Sequence, residues 1–181
     1  MGAENKIWFV MRSLFNTELQ TKEKLDRAGI QVFIPMEDRI RLVRGRNRKV
    51  QVPVVRNLMF VHSDEKTLAP FLAADSKFQF MYRRGGRRNE PMVVPDDEMT
   101  RFMHALQVSR RPMFFSPEEL DISKGTRIRV IGGQLDGTVG YFMKVKGSRA
   151  KRLVVLIPET MAVAVDVEPD LIELLPDRNL V

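Results

Sequence analysis

Apolar positions divide the chain into two stretches with different rhythms. In the first, residues 7–13 (IWFVMRS) form a nearly continuous apolar run, the pattern of a central strand covered on both faces. Asn16 or Thr17 caps a following helix, Thr17 to Gln20 fits a capping box, and Gly29 closes it. VFIPME then reads as a strand, and DRIRLVRGRNRKVQVPVV as a hairpin whose two β arms flank Arg44–Arg48 and expose their arginines. Residues 57–62 (NLMFVH) predict a second fully apolar strand. A short helix begins between Ser63 and Thr67 and includes Leu68, Phe71 and Leu72, with Pro70 tolerated only in its first turn. KFQFMYR (77–83) alternates, which puts Phe78, Phe80 and Tyr82 on one face. Pro95 opens another helix, where Asp96, Asp97 and Glu98 meet the positive end of the dipole. Met99, Phe102, Met103 and Leu106 then form a single stripe facing a sheet. This order predicts an α+β fold, an antiparallel-rich sheet backed by helices on one side, similar to ferredoxin-like folds.

The second stretch runs from Lys124 to Leu175 and alternates throughout. Ile128 and Val130 are set against Arg127 and Arg129, and a turn follows with Gly132, Gly133, Gly137 and Gly140. Glycines at such spacing serve the positive φ and close backbone approach of a tightly curled sheet. The length fits a five-stranded SH3-like barrel, and the β-propensity of Leu153–Ile157 and of Val163, Val165 and Val167 predicts that it stays one. Between the stretches, SRRPMFFSPEELDIS has two prolines and no period. It reads as a linker, with Met113, Phe114 and Phe115 lying against a domain surface. The expected organisation is a domain over 6–108, a linker over 109–123 and a barrel over 124–175.

Composition narrows the chemistry. The chain has 181 residues, 44% of them hydrophobic, and a net charge of +7 that favours nucleic acid or an acidic surface as neighbour. It has no cysteine, so disulfide and thiol chemistry are excluded, as suits a reducing cytoplasm. IWFVM is too short for a signal core or a membrane span, and MGAENK does not fit the myristoylation pattern. With two histidines, His62 and His104, and no cysteine, the usual zinc sites cannot be assembled. No phosphate-binding glycine loop, zincin helix or nucleophile elbow occurs. Asp96, Asp97 and Glu98 are consecutive helix positions that share no face, and both histidines read as structural. The expectation is a cofactor-free protein with no catalytic residues.

What remains is positive charge on turns. Arg39, Arg41, Arg44, Arg46, Arg48 and Lys49 crowd the hairpin, and Arg83, Arg84, Arg87 and Arg88 surround Gly85-Gly86. Lys144, Lys146, Arg149, Lys151 and Arg152 flank a third turn. Guanidinium groups meet phosphate oxygens bidentately and release counterions, which gives affinity without base reading. Tyr82 beside Arg83 is the best candidate for stacking on a base. Of these residues, Arg44, Arg46, Arg48, Lys49, Arg83, Arg84, Arg87 and Arg88 are expected to lie near nucleic acid.

In their order these features resemble one family. Trp8-Phe9-Val10, Pro35, the basic hairpin, Asn57-Leu58-Met59-Phe60-Val61 and Met92-Val93-Val94-Pro95-Asp96 look like the NGN domain of NusG transcription factors. The element with Gly133, Gly137 and Gly140 resembles their KOW motif. Pro53 and Asn57–Val61 look closest to the specialised paralogues of the UpxY and RfaH kind. The resemblance implies a non-enzymatic elongation or antitermination factor, acting as a monomer on particular operons. It implies an NGN domain seated on the clamp helices of RNA polymerase near the upstream DNA, and a KOW barrel that recruits a ribosomal protein or Rho. Carried over by position, the polymerase patch comprises Leu58, Phe60, Val55, Phe80 and Arg12, where arginine departs from the family pattern. The alternative is a KOW-type RNA-binding or ribosome-associated protein.

Overall fold

The computed structural model describes residues 6–83 and 90–176. Over these residues the chain is mixed α/β, rich in sheet, with three α-helices, and it divides into two compact units, Met1–Pro95 and Asp96–Val181.

The first unit is built on β1 (Ile7–Ser13) and β5 (Leu58–Ser63), the two apolar runs, which pair antiparallel along their length. Flanking them are β2 (Gln31–Phe33) on β5, and β6 (Phe78–Phe80) and β7 (Val93–Val94) on β1. Both faces of β1 and β5 are buried, as their unbroken hydrophobicity requires. On one face, Phe9, Met11, Met59, Val61 and Phe78 form a core with Leu25 of α1 (Glu18–Arg27) and Leu68 of α2 (Glu65–Ala74).

Two local expectations for the helices are corrected. No capping box forms at α1. The Thr17 hydroxyl donates instead to the Leu14 carbonyl at 2.7 Å, and Ser13 Oγ, within bonding distance of both Thr17 Oγ1 and Thr21 Oγ1, ties the first turn to the strand before it. Pro70 lies in the body of α2 and not in its first turn. The helix starts early because the Asp64 carboxylate caps it, accepting from the Thr67 amide and hydroxyl at 2.7 Å each, and burial of Leu68 holds the helix past the missing proline donor. Gly29, at φ 74°, ends α1 as expected.

The arms β3 (Met36–Val43) and β4 (Arg46–Pro53) pair only with each other, as a separate two-stranded ribbon. Pairing runs to Val43–Arg46, so the turn is Arg44-Gly45 alone, both residues at positive φ (50° and 74°). Arg46 and Arg48, expected at the tip, therefore lie within β4. A two-residue turn of this kind matches the right-handed twist of the arms.

α3 (Asp96–Val108), expected within the 6–108 domain, opens the second unit instead; its Met99, Phe102 and Ala105 are buried, Met103 and Leu106 only half-buried, and it packs against β11 (Lys151–Ile157) and β12 (Met161–Val165). The segment 109–123 is more than a linker. It contains β8 (Met113–Phe115), which pairs with β12 through Phe115–Ala162, Phe114–Val163 and Met113–Ala164, and then a short turn in which Ser116 and Glu119 cap each other. A three-residue strand set between two prolines is too short to show a period. With β9 (Thr126–Val130), β10 (Val139–Lys144) and β13 (Ile172–Leu174), the strands form one antiparallel sheet in the order β13-β9-β10-β11-β12-β8.

Two glycines of the β9–β10 region have distinct physical roles. Gly137 turns the chain at φ 76°, its amide donating to the Val130 carbonyl at 2.8 Å. Gly140 instead permits contact. A Cβ there would lie 2.4 Å from the Val154 carbonyl oxygen and 2.7 Å from Leu153 Cδ1 of β11.

Candidate protein-docking and nucleic-acid surfaces

Strand register decides which of the expected docking residues share a face. Opposite positions of an antiparallel pair point the same way. Arg12 faces Leu58, Val10 faces Phe60 and Trp8 faces His62, so these six form one surface of the sheet, extended by Phe33 opposite Phe60 and Val94 opposite Trp8. The Trp8 and His62 rings stack with centroids 4.9 Å apart. The helices α1 and α2 contribute their core residues to the other surface.

Phe80 does not belong with Leu58 and Phe60. It pairs with Met11, which places it on the helix-bearing surface against the Phe9 ring, centroids 5.0 Å apart. The expected patch is thereby split. Arg12, Leu58 and Phe60 are brought together, and Phe80 is turned away. Leu58 and Phe60 are also buried, at 5% and 0% exposure, so neither is an open apolar spot. Arg12 is exposed, and Val55, just ahead of β5, is 41% exposed. Trp8 and Val10 join this surface without having been expected there, although alternation through Trp8, Val10 and Arg12 is the signal that groups them.

The hairpin displays its charges unevenly. Glu37, Arg39, Arg41, Val43, Arg46, Arg48, Val50 and Val52 occupy one face, and Met36, Asp38, Ile40, Leu42, Asn47, Lys49, Gln51 and Pro53 the other. Lys49 is on the second face, where it forms an ion pair with Asp38 at 2.7 Å. On the first face Arg39 is held by Glu37, its Nε donating at 2.7 Å. Arg41, Arg46 and Arg48 are exposed and have no carboxylate at ion-pair distance among the described residues. Arg44 stands exposed at the turn.

The second basic group is described only at Arg83, which is exposed and whose amide donates to the Glu90 carbonyl; Arg84, Arg87 and Arg88 lie outside the described residues. In the third group the charges are largely engaged. Lys144 Nζ donates to the Arg149 carbonyl, and Lys151 sits over the Phe142 ring. Arg152, its side chain only 11% exposed, bridges Asp166 at 3.0 Å and donates to the Arg111 carbonyl at 2.9 Å. Arg152 is therefore a structural clamp between β11, β12 and the segment before β8.

Gly133, Gly137 and Gly140 shape the β9–β10 connection, with Gly133 at φ 69° against the Leu171 side chain. A cleft of about 550 Å³ opens beside this loop, lined by Val130, Leu135, Val167, Leu171, Arg110 and Asp166 among others. Its carboxylate at Asp166 is taken by Arg152. His104 bonds the Gln134 carbonyl at 2.5 Å, a structural contact as expected. Among the described residues no three His, Cys, Asp or Glu side chains gather to hold a metal ion. Among the described residues no helix is long and apolar enough to cross a membrane.

Comparison with known proteins bears on the first unit most directly. Residues 6–103 match the family model described as "NusG: Transcription termination factor nusG". Among 18 matching chains of known structure is one described as "Domain interaction in Thermotoga maritima NusG", with 18% identity over 97% of this chain and 100% of that one at a TM-score of 0.45. No curated protein sequence matches. The family model spans more than half of the chain, from β1 into α3, so the protein belongs to the NusG family of non-enzymatic transcription factors, which bind RNA polymerase.

Proposed function

We propose that this protein regulates transcript elongation by docking on the clamp helices of RNA polymerase through its first unit and suppressing pausing or termination at particular operons. In that role it stands with the specialised paralogues of the UpxY and RfaH kind. It works as a cytoplasmic monomer. The observation that carries the reading is the family match across the first unit, joined to a sheet surface on which Trp8, Val10, Leu58 and Phe60 assemble away from α1 and α2.

Arg12 and Val55, already exposed, make the first contact. Leu58 and Phe60 are buried, so their part in docking calls for their exposure in the complex. Each apolar side chain then reburied contributes about 1.5–3 kcal/mol before the cost of association is subtracted. Phe80 is left out of the site. Residues 124–175 form an SH3-like KOW barrel whose glycines keep its strands closely wrapped, and it recruits a ribosomal protein or Rho. The hairpin and the Arg83 loop lie next to nucleic acid at the transcription bubble.

Retention of RNA polymerase on the immobilised full chain tests the docking. Wild type should hold polymerase at high salt, and Arg12→Glu combined with Val55→Asp should release it. Polymerase held equally by the double variant would exclude this surface.

A further inference from the structure

The hairpin carries an arrangement that folding alone does not explain. Its Arg41 and Arg48 are directly opposed across the ladder. Such pairs bring Cβ atoms to about 4.5–5.5 Å, and like charges placed so destabilise a ribbon. Arg46 lies on the same face, two pairs closer to the turn, and Arg39 two pairs further from it. Four arginines and one glutamate give this face a net +3, while Asp38 and Lys49 cancel on the opposite one. Repulsion concentrated on one side of an exposed ribbon is relieved by a polyanion lying along that side.

The geometry points to duplex DNA as that polyanion, with β3 and β4 lying along its major groove and Arg39, Arg41, Arg46 and Arg48 reaching the phosphates that border the groove. Paired strands are about 4.8 Å apart, and the B-form major groove, about 12 Å wide, admits a two-stranded ribbon. A-form RNA is a poorer fit, because its major groove is deep and too narrow for side chains to enter. Single strands are held by stacking on aromatic rings, and residues 36–53 contain no Phe, Tyr or Trp. The contact is to phosphates and carries no base sequence of its own. This inference rests on the nucleic-acid proximity proposed above and adds the form of the ligand and the face that meets it.

Fluorescence anisotropy of the full chain tests it, with a labelled mixed-sequence DNA duplex of about 20 base pairs at about 50 mM salt. The same sequence as an RNA duplex and as single-stranded DNA provides the comparison. Wild type should bind the DNA duplex tightest. Arg41→Ala with Arg48→Ala should weaken it by roughly tenfold and lower the logarithmic salt slope by about 1.8, since each lost phosphate contact removes about 0.9. Asp38→Asn with Lys49→Gln, which keeps the opposite face neutral, should stay within about twofold of wild type. Equal losses from the two variants, or tighter binding to RNA duplex or single strand, would overturn the assignment. Circular dichroism confirms that both variants are folded, and removing the opposed arginines relieves repulsion. Polymerase retention is scored separately. Loss of duplex preference with polymerase still held by wild type would refute the hairpin assignment alone, and the reverse would refute the docking reading alone.

Discussion

Substituting Gly140 with alanine adds a single methyl group where the β10 backbone lies hard against β11. The new Cβ would sit 2.4 Å from the Val154 carbonyl oxygen and 2.7 Å from Leu153 Cδ1, and real Cβ atoms do not approach backbone that closely. The leucine methyl can rotate away, but the carbonyl is fixed in the ladder that pairs Tyr141 with Val154. Relief therefore requires β11 to move, and β11 is tied to β12 at five positions from Leu153–Val165 to Ile157–Met161. Overpacking of this kind costs about 1–3 kcal/mol, and backbone contact puts Gly140→Ala toward the upper end. For a chain of this size that lowers the thermal midpoint by roughly 2–12 °C. Gly137 provides the internal comparison, because it lies at φ 76° and a methyl added there would meet nothing within 4 Å. Gly137→Ala should cost only the left-handed backbone penalty of about 1–2 kcal/mol, and Gly137→Asn less again. Urea unfolding followed by circular dichroism ranks the three. If Gly140→Ala proves no more destabilising than Gly137→Ala, close approach is not what Gly140 serves.

Other expectations follow from the first unit and α3. Phe60→Ala should destabilise the fold by about 3–5 kcal/mol in denaturant titration, because the side chain is fully buried, whereas Val55→Ala should change stability little. Asp64→Ala should remove the α2 cap and cost about 0.5–2 kcal/mol, with faster hydrogen exchange at the amides of its first turn. Burial, and then the neighbouring Asp97, raise the Glu98 pKa above its ordinary 4.5, with Arg101 opposing. The stability tied to its protonated form is therefore present below the unfolded pKa and lost as pH rises through the raised folded value. Glu98→Gln should be at least as stable as wild type at neutral pH, with any advantage vanishing in acid; a loss at neutral pH, above all one that vanishes in acid, would contradict this reading.

The elements with long, uniform patterns were legible from the residues alone. The unbroken runs at residues 7–13 and 57–62 declared central strands, and both became the buried middle of the sheet. The α3 stripe was visible through Met99 and Phe102, and the hairpin through its paired β arms around a glycine. Register was not legible, because it is a relation between distant segments. Phe80 was grouped with Phe60 by its position in the family pattern, but its pairing with Met11 sends it to the opposite side. The same gap hid the sorting of the hairpin charges: alternation alone parts Lys49 from Arg48, but only the aligned arms set Arg48 opposite Arg41. Local hydrogen bonds were equally hidden. Thr17 donates its hydroxyl to the Leu14 carbonyl and does not accept from a helix amide as a capping box requires, and Arg152 looked like one more surface cation until Asp166 and the Arg111 carbonyl closed around it.

The short strand Met113–Phe115 has a consequence for handling the second unit. β12 reads MAVAV, buried at every position, and its outer edge is occupied by those three residues. A fragment begun at Lys124 would leave that edge bare, offering unsatisfied amides and carbonyls to any passing chain, the usual seed of strand-by-strand aggregation. The native sequence closes it with a guard too brief to template a further strand, and Pro112 and Pro117 on either side lack the donors to prolong it.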